Sequence, residues 1–182
     1  ASTIPSQYLL PEILAKFTER YPDEQFKVIE SDSAKVVEAV VNHTIDIGFT
    51  GTVMEKKHCK YIPFYKDELV VILPNNERYQ KLSKKPITDW LGKERFIMRE
   101  EGSGARKEAE EQLKAVDISM EKLNITASME NQEAIKRAGI GGMGISIISR
   151  LAVRDETELG RIISVPMPGQ EEGRDLNIVY DK

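Results

Sequence analysis

Glu100 to Glu111 reads "EEGSGARKEAEE", and its residue types are those of an anion-handling turn. Two acids precede Gly102-Ser103-Gly104, Arg106 follows, and then comes a run of helix formers. If Ser103 is an N-cap, the free amides of Gly104 and its successors point out of the helix start, where an anion is favoured. Arg106 then sits in the first turn, where the helix dipole favours acids rather than cations. The capping box would place Glu or Gln at position 106, and this chain has Arg there. Two accounts stay open at this point. Arg106 is neutralised internally, by Glu101 or by Glu110 four residues on, a surface pair worth well under about 1 kcal/mol. Or an external carboxylate or sulfate arrives, held by the guanidinium and several amides.

Other polar residues occupy similar positions. Ser2, Thr3 and Ser6 precede a helix, Thr50-Gly51 closes a run that reads as a strand, and Asn131 opens a helix after a strand. Each is an ordinary cap or turn residue by itself. Their recurrence at strand ends and helix starts would bring several hydroxyls and amides to one cleft.

Catalytic chemistry finds no such support. His43 and His58 lack partners at metal-ligand spacing, so no metal or other cofactor is expected. Cys59 follows His58, but neighbours in a strand point to opposite faces. No Gly-x-Ser-x-Gly, Walker loop or His-Glu-x-x-His occurs. "GIGGMG" places Gly139, Gly141 and Gly144 at dinucleotide-motif spacing. That motif needs a strand before it and a helix after it. Here the helix-like "NQEAIKRA" precedes and the strand-like "ISIIS" follows, so a helix C-cap at Gly139 and a tight turn are expected instead.

The elements that must position these residues alternate. Helical spacing runs through Leu9, Leu10, Ile13, Leu14 and Phe17, and again through Val36, Val37, Val40 and Val41 behind Asp32 and Ser33. Strands are expected at Phe26–Glu30, Ile45–Thr50, Tyr61–Tyr65, Glu68–Leu73, Arg95–Arg99, Leu123–Met129, Ile145–Ile148, Arg161–Val165 and Leu176–Tyr180. A short helix is expected behind Thr88-Asp89, and others over Ala105–Val116 and from Asn131 to Gly139. Such alternation is the α/β pattern, with a mostly parallel sheet expected. Crossovers between lobes are expected at Leu73-Pro74 and at Pro166-Met167-Pro168-Gly169. They divide the chain into lobe I (1–73 plus 169–182) and an inserted lobe II (74–168), with a ligand cleft at strand carboxyl ends. The 182 residues carry a net charge of -4, which argues against electrostatic grip on nucleic acid by this chain. One cysteine excludes an internal disulfide and favours a reducing, cytoplasmic setting. No apolar run is long enough to span a bilayer.

The chain resembles the effector-binding domain of LysR-type bacterial transcription regulators. The resemblance is carried in order by "YLLPEILAKFTERYP" (8–22), "VVEAVVNHTIDIGFTG" (36–51), "DELVVILP" (67–74), "REEGSGARKEAEE" (99–111) and "ENQEAIKRAGIGGMGISIISRLAV" (130–153). It implies a periplasmic-binding-protein-like (type 2) fold of two α/β lobes joined by two crossover strands, with a small effector in the cleft. It also implies that Ser2 and Thr3, Thr50 and Gly51, Ser103 and Gly104, then Arg106, and Asn131 bind that effector. Side-by-side dimers, or tetramers built from them, are implied too, with the helix at Tyr8 to Tyr21 on the contact face. The family's DNA-binding winged helix-turn-helix lies upstream and nothing here matches it, so DNA is a partner only through that missing domain. The chain also lacks the family's strand before the first loop and its closing helix, and reads as a fragment or as a domain with unresolved ends.

The expected function is therefore an effector sensor for a small anion, a carboxylate, sulfate or amino-acid derivative, in a transcription regulator. An extracytoplasmic solute-binding protein of the same fold is the alternative. An enzyme ranks last, since the chain offers no nucleophile-base pair.

Overall fold

The computed structural model of the chain describes residues 1–54, 58–101, 103–169 and 173–182. Two compact units divide it: Ala1–Asp67 with Arg174–Lys182, and Glu68–Gly173. The first change of unit thus falls at Asp67/Glu68 and not at the expected Leu73-Pro74. The cause is the apolar run Leu69–Pro74, buried throughout its length, which the second unit takes up as its own central strand. The return falls at Gly173/Arg174, beyond Pro166–Gly169, because the Met167 amide still donates to the Leu69 carbonyl at 3.3 Å.

In the first unit, Thr3 to Arg20 is helical, with a π-helical turn at Pro5–Leu9 leading into α1 (Leu10–Arg20). α2 (Ser33–Val41) is capped by Asp32, whose carboxylate accepts from the Lys35 amide at 2.9 Å. That bond holds the Asp32 carboxyl below its ordinary value of 3.8. Strands β1 (Gly48–Thr50) and β2 (Cys59–Asp67) flank β8 (Arg174–Asp181), antiparallel on both sides. α2 closes this sheet with Val36, Val37 and Val40 packed against Val179. Gly48 permits the approach, since a Cβ there would lie 2.6 Å from Val179 and 2.7 Å from Val36.

Phe26–Glu30, expected as a strand, forms no ladder. Ala1 bonds to this stretch of backbone: the Ala1 ammonium donates to the Ile29 carbonyl at 2.7 Å, and its carbonyl accepts from the Ser31 amide at 3.0 Å. Ser2 continues the connection, its amide donating to the Phe49 carbonyl at 2.8 Å. The segment is exposed.

In the second unit, β3 (Leu69–Pro74) pairs antiparallel with both β6 (Ser146–Ser149) and β7 (Ile162–Pro166). β4 (Arg95–Arg99) pairs in parallel with β5 (Asn124–Met129), and α4 (Gly104–Ala115) makes the crossover between them. Phe96 also bridges Ile145 in parallel. The expectation of a mostly parallel sheet is thus corrected: the ladders of β1, β2 and β8 and those of β3, β6 and β7 are antiparallel. Alternation of strand and helix predicts crossovers, but it does not say which strands become neighbours.

α3 (Glu77–Leu82), capped by Asn76, went unforeseen, as did α6 (Arg150–Glu158). Thr88-Asp89 lies inside a 3₁₀ turn begun by Pro86 and caps nothing. α5 (Gln132–Ile140) runs past Gly139, and the left-handed position is Gly142 at φ 84°. Gly139 instead lets the helix approach the sheet, where its Cβ would lie 3.3 Å from Ile72. A core of Leu69, Val71, Leu73, Trp90, Leu91, Phe96, Met98, Leu113, Ile145 and Met167 holds the unit together.

Candidate functional site

In the second unit, α4 begins where sequence placed it. Ser103 is its N-cap, with extended backbone and Oγ accepting from the Arg106 amide at 2.9 Å. Gly104 is exposed, and the first-turn amides have no carbonyl four residues back. Gly102 lies outside the described residues. β4 delivers this turn: Arg99 is its last residue, so the turn stands at a strand's carboxyl end.

The guanidinium of Arg106 is engaged by its own surroundings. Nε donates to Glu110 at 2.9 Å and NH1 to the Arg99 carbonyl at 3.0 Å, while Glu101 lies 4.0 Å from NH2. The side chain is only 13% exposed, too enclosed to swing freely toward solvent. This answers the misplaced cation of the first turn: an acid one turn on neutralises it, and it ties the end of β4 to α4. The bond to Arg99's carbonyl also fixes the path of the chain just before the turn. Ser128 Oγ donates to the same carbonyl at 3.3 Å, and β5 thereby joins the arrangement.

Asn131 caps α5, its Oδ1 accepting from the Ala134 amide at 3.1 Å, and the residue is exposed. It follows Met129 at the carboxyl end of β5 by two residues. β4 and β5 are parallel neighbours, so Ser103 and Asn131 stand at the same edge of the sheet. Both present free helix amides there, and Asn131 retains its carboxamide nitrogen as a donor. Beside it Gln132 is buried, and its Nε2 has no hydrogen-bond partner among the described residues.

In the first unit, Ser2 and Thr3 stand at the start of the long helix, both half-buried. The Ser2 carbonyl accepts from the Ser6 amide at 2.9 Å, and Pro5 has no amide to satisfy. β1 positions Thr50 close by, since Ser2 is bonded to Phe49. Thr50 is wholly buried and its Oγ1 donates to the Thr52 carbonyl at 3.1 Å. This hydroxyl shapes the loop from inside. Gly51 is half-buried, and a Cβ built on it would meet Arg174, a residue that no spacing rule pointed to.

Structure thus groups Ser2, Thr3, Thr50 and Gly51 on one unit and Ser103, Gly104, Arg106 and Asn131 on the other. Among the described residues no group of three or more His, Cys, Asp or Glu side chains is placed to hold a metal ion. No described helix is long and apolar enough to cross a membrane.

Two α/β units, the second carried as an insertion in the first, with polar helix starts at strand ends, define the ligand-binding fold of the periplasmic-binding-protein type. The chain is similar at a TM-score of 0.84 and 25% identity to the Synechocystis CcmR regulatory domain solved in complex with 2-PG, covering 99% of this chain and 85% of that one. Residues 1–182 match the model of the LysR substrate binding domain, and the chain belongs to that family. It is 30% identical over its full length to the HTH-type transcriptional regulator MJ0300 of Methanocaldococcus jannaschii, spanning 61% of that protein. It is also 30% identical over 171 residues to the HTH-type transcriptional regulator YeiE of Escherichia coli K12, where it spans 56%. The chain therefore spans less than two thirds of the length of these two regulators.

Proposed function

We propose that the chain is the effector-sensing part of a LysR-type transcription regulator and that a small anionic metabolite is its ligand. The match of the whole chain to the family carries this reading. The helix starts at Thr3, Ser103 and Asn131 support it, because each offers uncommitted amides beside a polar side chain. Ser2, Thr3 and the Thr50-Gly51 loop serve the ligand from the first unit, and Ser103, Gly104 and Asn131 serve it from the second. Arg106 acts behind them by fixing the turn. The effector works through unequal affinity for two arrangements of the units, and the difference biases the DNA-binding domain upstream. This setting is cytoplasmic and involves no catalysis.

A second copy of the chain is the other partner in this reading. α1 leaves Ile13, Phe17 and Tyr21 substantially exposed, and Phe26, Val28 and Ile29 extend the apolar patch. Phe17 packs edge-on against Phe26 at 5.5 Å, so the two segments form one surface. Patches of this kind mark association faces. Titration calorimetry with sulfate, shikimate and 2-PG tests the effector reading. Binding of at least one is expected, weakened in Ser103→Ala, and silence toward all three would sink it.

A further inference from the structure

The second unit buries a donor that nothing above uses. Gln132 is the first residue of α5 and 6% exposed, and its Nε2 has no hydrogen-bond partner among the described residues. Buried polar atoms are normally paired, because an unpaired one loses its water and gains nothing in return. Gln132 shares the buried face of α5 with Ile135 and Gly139, three and seven residues on. Helix side chains tilt toward the helix N-terminus. From the first position on the sheet-facing side, the carboxamide therefore extends past the helix start, toward the carboxyl ends of the strands.

Two connections leave that edge in opposite directions. β4 lies between β5 and Ile145 and is parallel to both. α4 carries the chain from β4 to β5, and α5 carries it back from β5 to Ile145. Right-handed crossovers then put the two helices on opposite faces. The packing agrees. Ala109 and Leu113 of α4 share a core with Val71 and Leu73, while a Cβ at Gly139 of α5 would lie 3.3 Å from Ile72 between them. Where neighbouring strands send their helices to opposite faces, a crevice opens at their carboxyl ends. Ser103 and Asn131 stand on its rim. Ser103 Oγ accepts from the Arg106 amide and Asn131 Oδ1 from the Ala134 amide, which leaves the Ser103 proton and Asn131 Nδ2 to donate. Arg106 is spent on Glu110 and the Arg99 carbonyl, so the donors on this rim are neutral.

We propose that Gln132 is a binding residue of the second unit, its Nε2 donating to an oxygen of the effector's carboxylate or sulfate group. This rests on the effector reading above. Such oxygens accept only, and the rim of the crevice supplies donors: the first-turn amides of α4 and α5, the Ser103 hydroxyl and two side-chain amides. A donor with no bond to give up turns toward a ligand without loss, whereas Arg106 would first have to leave Glu110. Burial of the free carboxamide is thus a cost that the ligand removes, and the chain gains more from binding than the contact alone provides.

Calorimetry with sulfate, shikimate and 2-PG on the full chain, Q132M and Q132E decides it, with melting curves of the ligand-free proteins beside it. Q132M keeps the length of the side chain and removes the donor. It is expected to weaken binding by about tenfold and to leave the ligand-free Tm equal or higher, because the unpaired buried donor is gone. Q132E is expected to lose more, since a carboxylate then faces the anion. A Gln held by a bond inside the fold behaves in the opposite way: Q132M lowers the ligand-free Tm and leaves affinity alone. Should Q132M not fold, Q132E, of the same shape, is read in its place. A parent that binds, with Q132M (or Q132E) within about twofold of it, would overturn the assignment and leave the effector reading intact. A fall of affinity together with ligand-free Tm in every folded variant would show damage to the start of α5 rather than a lost contact, and would overturn it as well. No binding by the parent to any probe would overturn the effector reading, and this proposal with it.

Discussion

At the scale of single residues, caps and charges do most of the positioning. Asp32 starts the helix that covers β1, and its carboxyl is held low by the Lys35 amide. A depressed folded pKa means that the stabilisation is complete above the unfolded value and is lost as pH falls through the folded one. Asp32→Ala should therefore cost about 1 kcal/mol at neutral pH, and the deficit should shrink in chemical denaturation run below pH ~3.9. Asp32→Asn should keep most of the cap and flatten that dependence. Arg106 separates stability from binding. Arg106→Ala removes bonds to Glu110 and to the Arg99 carbonyl, and should lower stability by about 1–2 kcal/mol in thermal denaturation. Its effect on anion affinity should be smaller than that of Ser103→Ala. A larger loss of affinity in Arg106→Ala would put the guanidinium on the ligand itself.

At the scale of elements, close approaches decide the packing. Gly144 follows the turn after α5, and a Cβ there would lie 2.5 Å from the Arg95 carbonyl oxygen. Gly144→Ala must push the entry to β6 away from β4, at a cost of about 1–3 kcal/mol, visible as a lowered Tm. α5 and α6 are joined by Lys136, which is 6% exposed and bonded to Glu156 at 2.6 Å and to Glu133 at 3.1 Å. Removing one partner of a buried pair leaves the other uncompensated. Lys136→Ala should thus cost about 3 kcal/mol or more by denaturant titration, and Lys136→Met clearly less. The GIGGMG run shows why motif spacing needs its elements. Its glycines serve a helix-to-sheet approach at 139, a left-handed turn at 142 and a backbone contact at 144.

At the scale of the whole molecule, the proposed association through α1 and the proposed response to an anion are tested separately. Phe17 is 41% exposed on the apolar face of α1. Phe17→Glu should shift sedimentation toward the monomer while leaving Tm nearly unchanged, since surface changes away from such features cost within about 0.5 kcal/mol. An unshifted sedimentation profile would remove α1 from the interface. A saturating effector should raise Tm by linkage, and more in the parent than in Ser103→Ala.

Sequence by itself determined most of the strands, the cap at Ser103, the cap at Asn131 and the family. These are local: capping, periodicity and motif order are written within a few residues of one another. It left Arg106 paired with Glu101 or Glu110 or facing an outside anion, and the folded chain bonds it to Glu110 and to the Arg99 carbonyl, a partner that no spacing rule pointed to. It missed α6, whose cap Ser149 looks like the end of an apolar strand, and it placed the crossing at Leu73-Pro74 because a proline punctuates chains. Whether Leu69–Pro74 belongs to one unit or the other depends on its partners β6 and β7, more than seventy residues away. The same holds for Arg174 beside Asp67 and Gly51. Residues 107 positions apart become neighbours only through a ladder, and the register of a ladder is a tertiary fact.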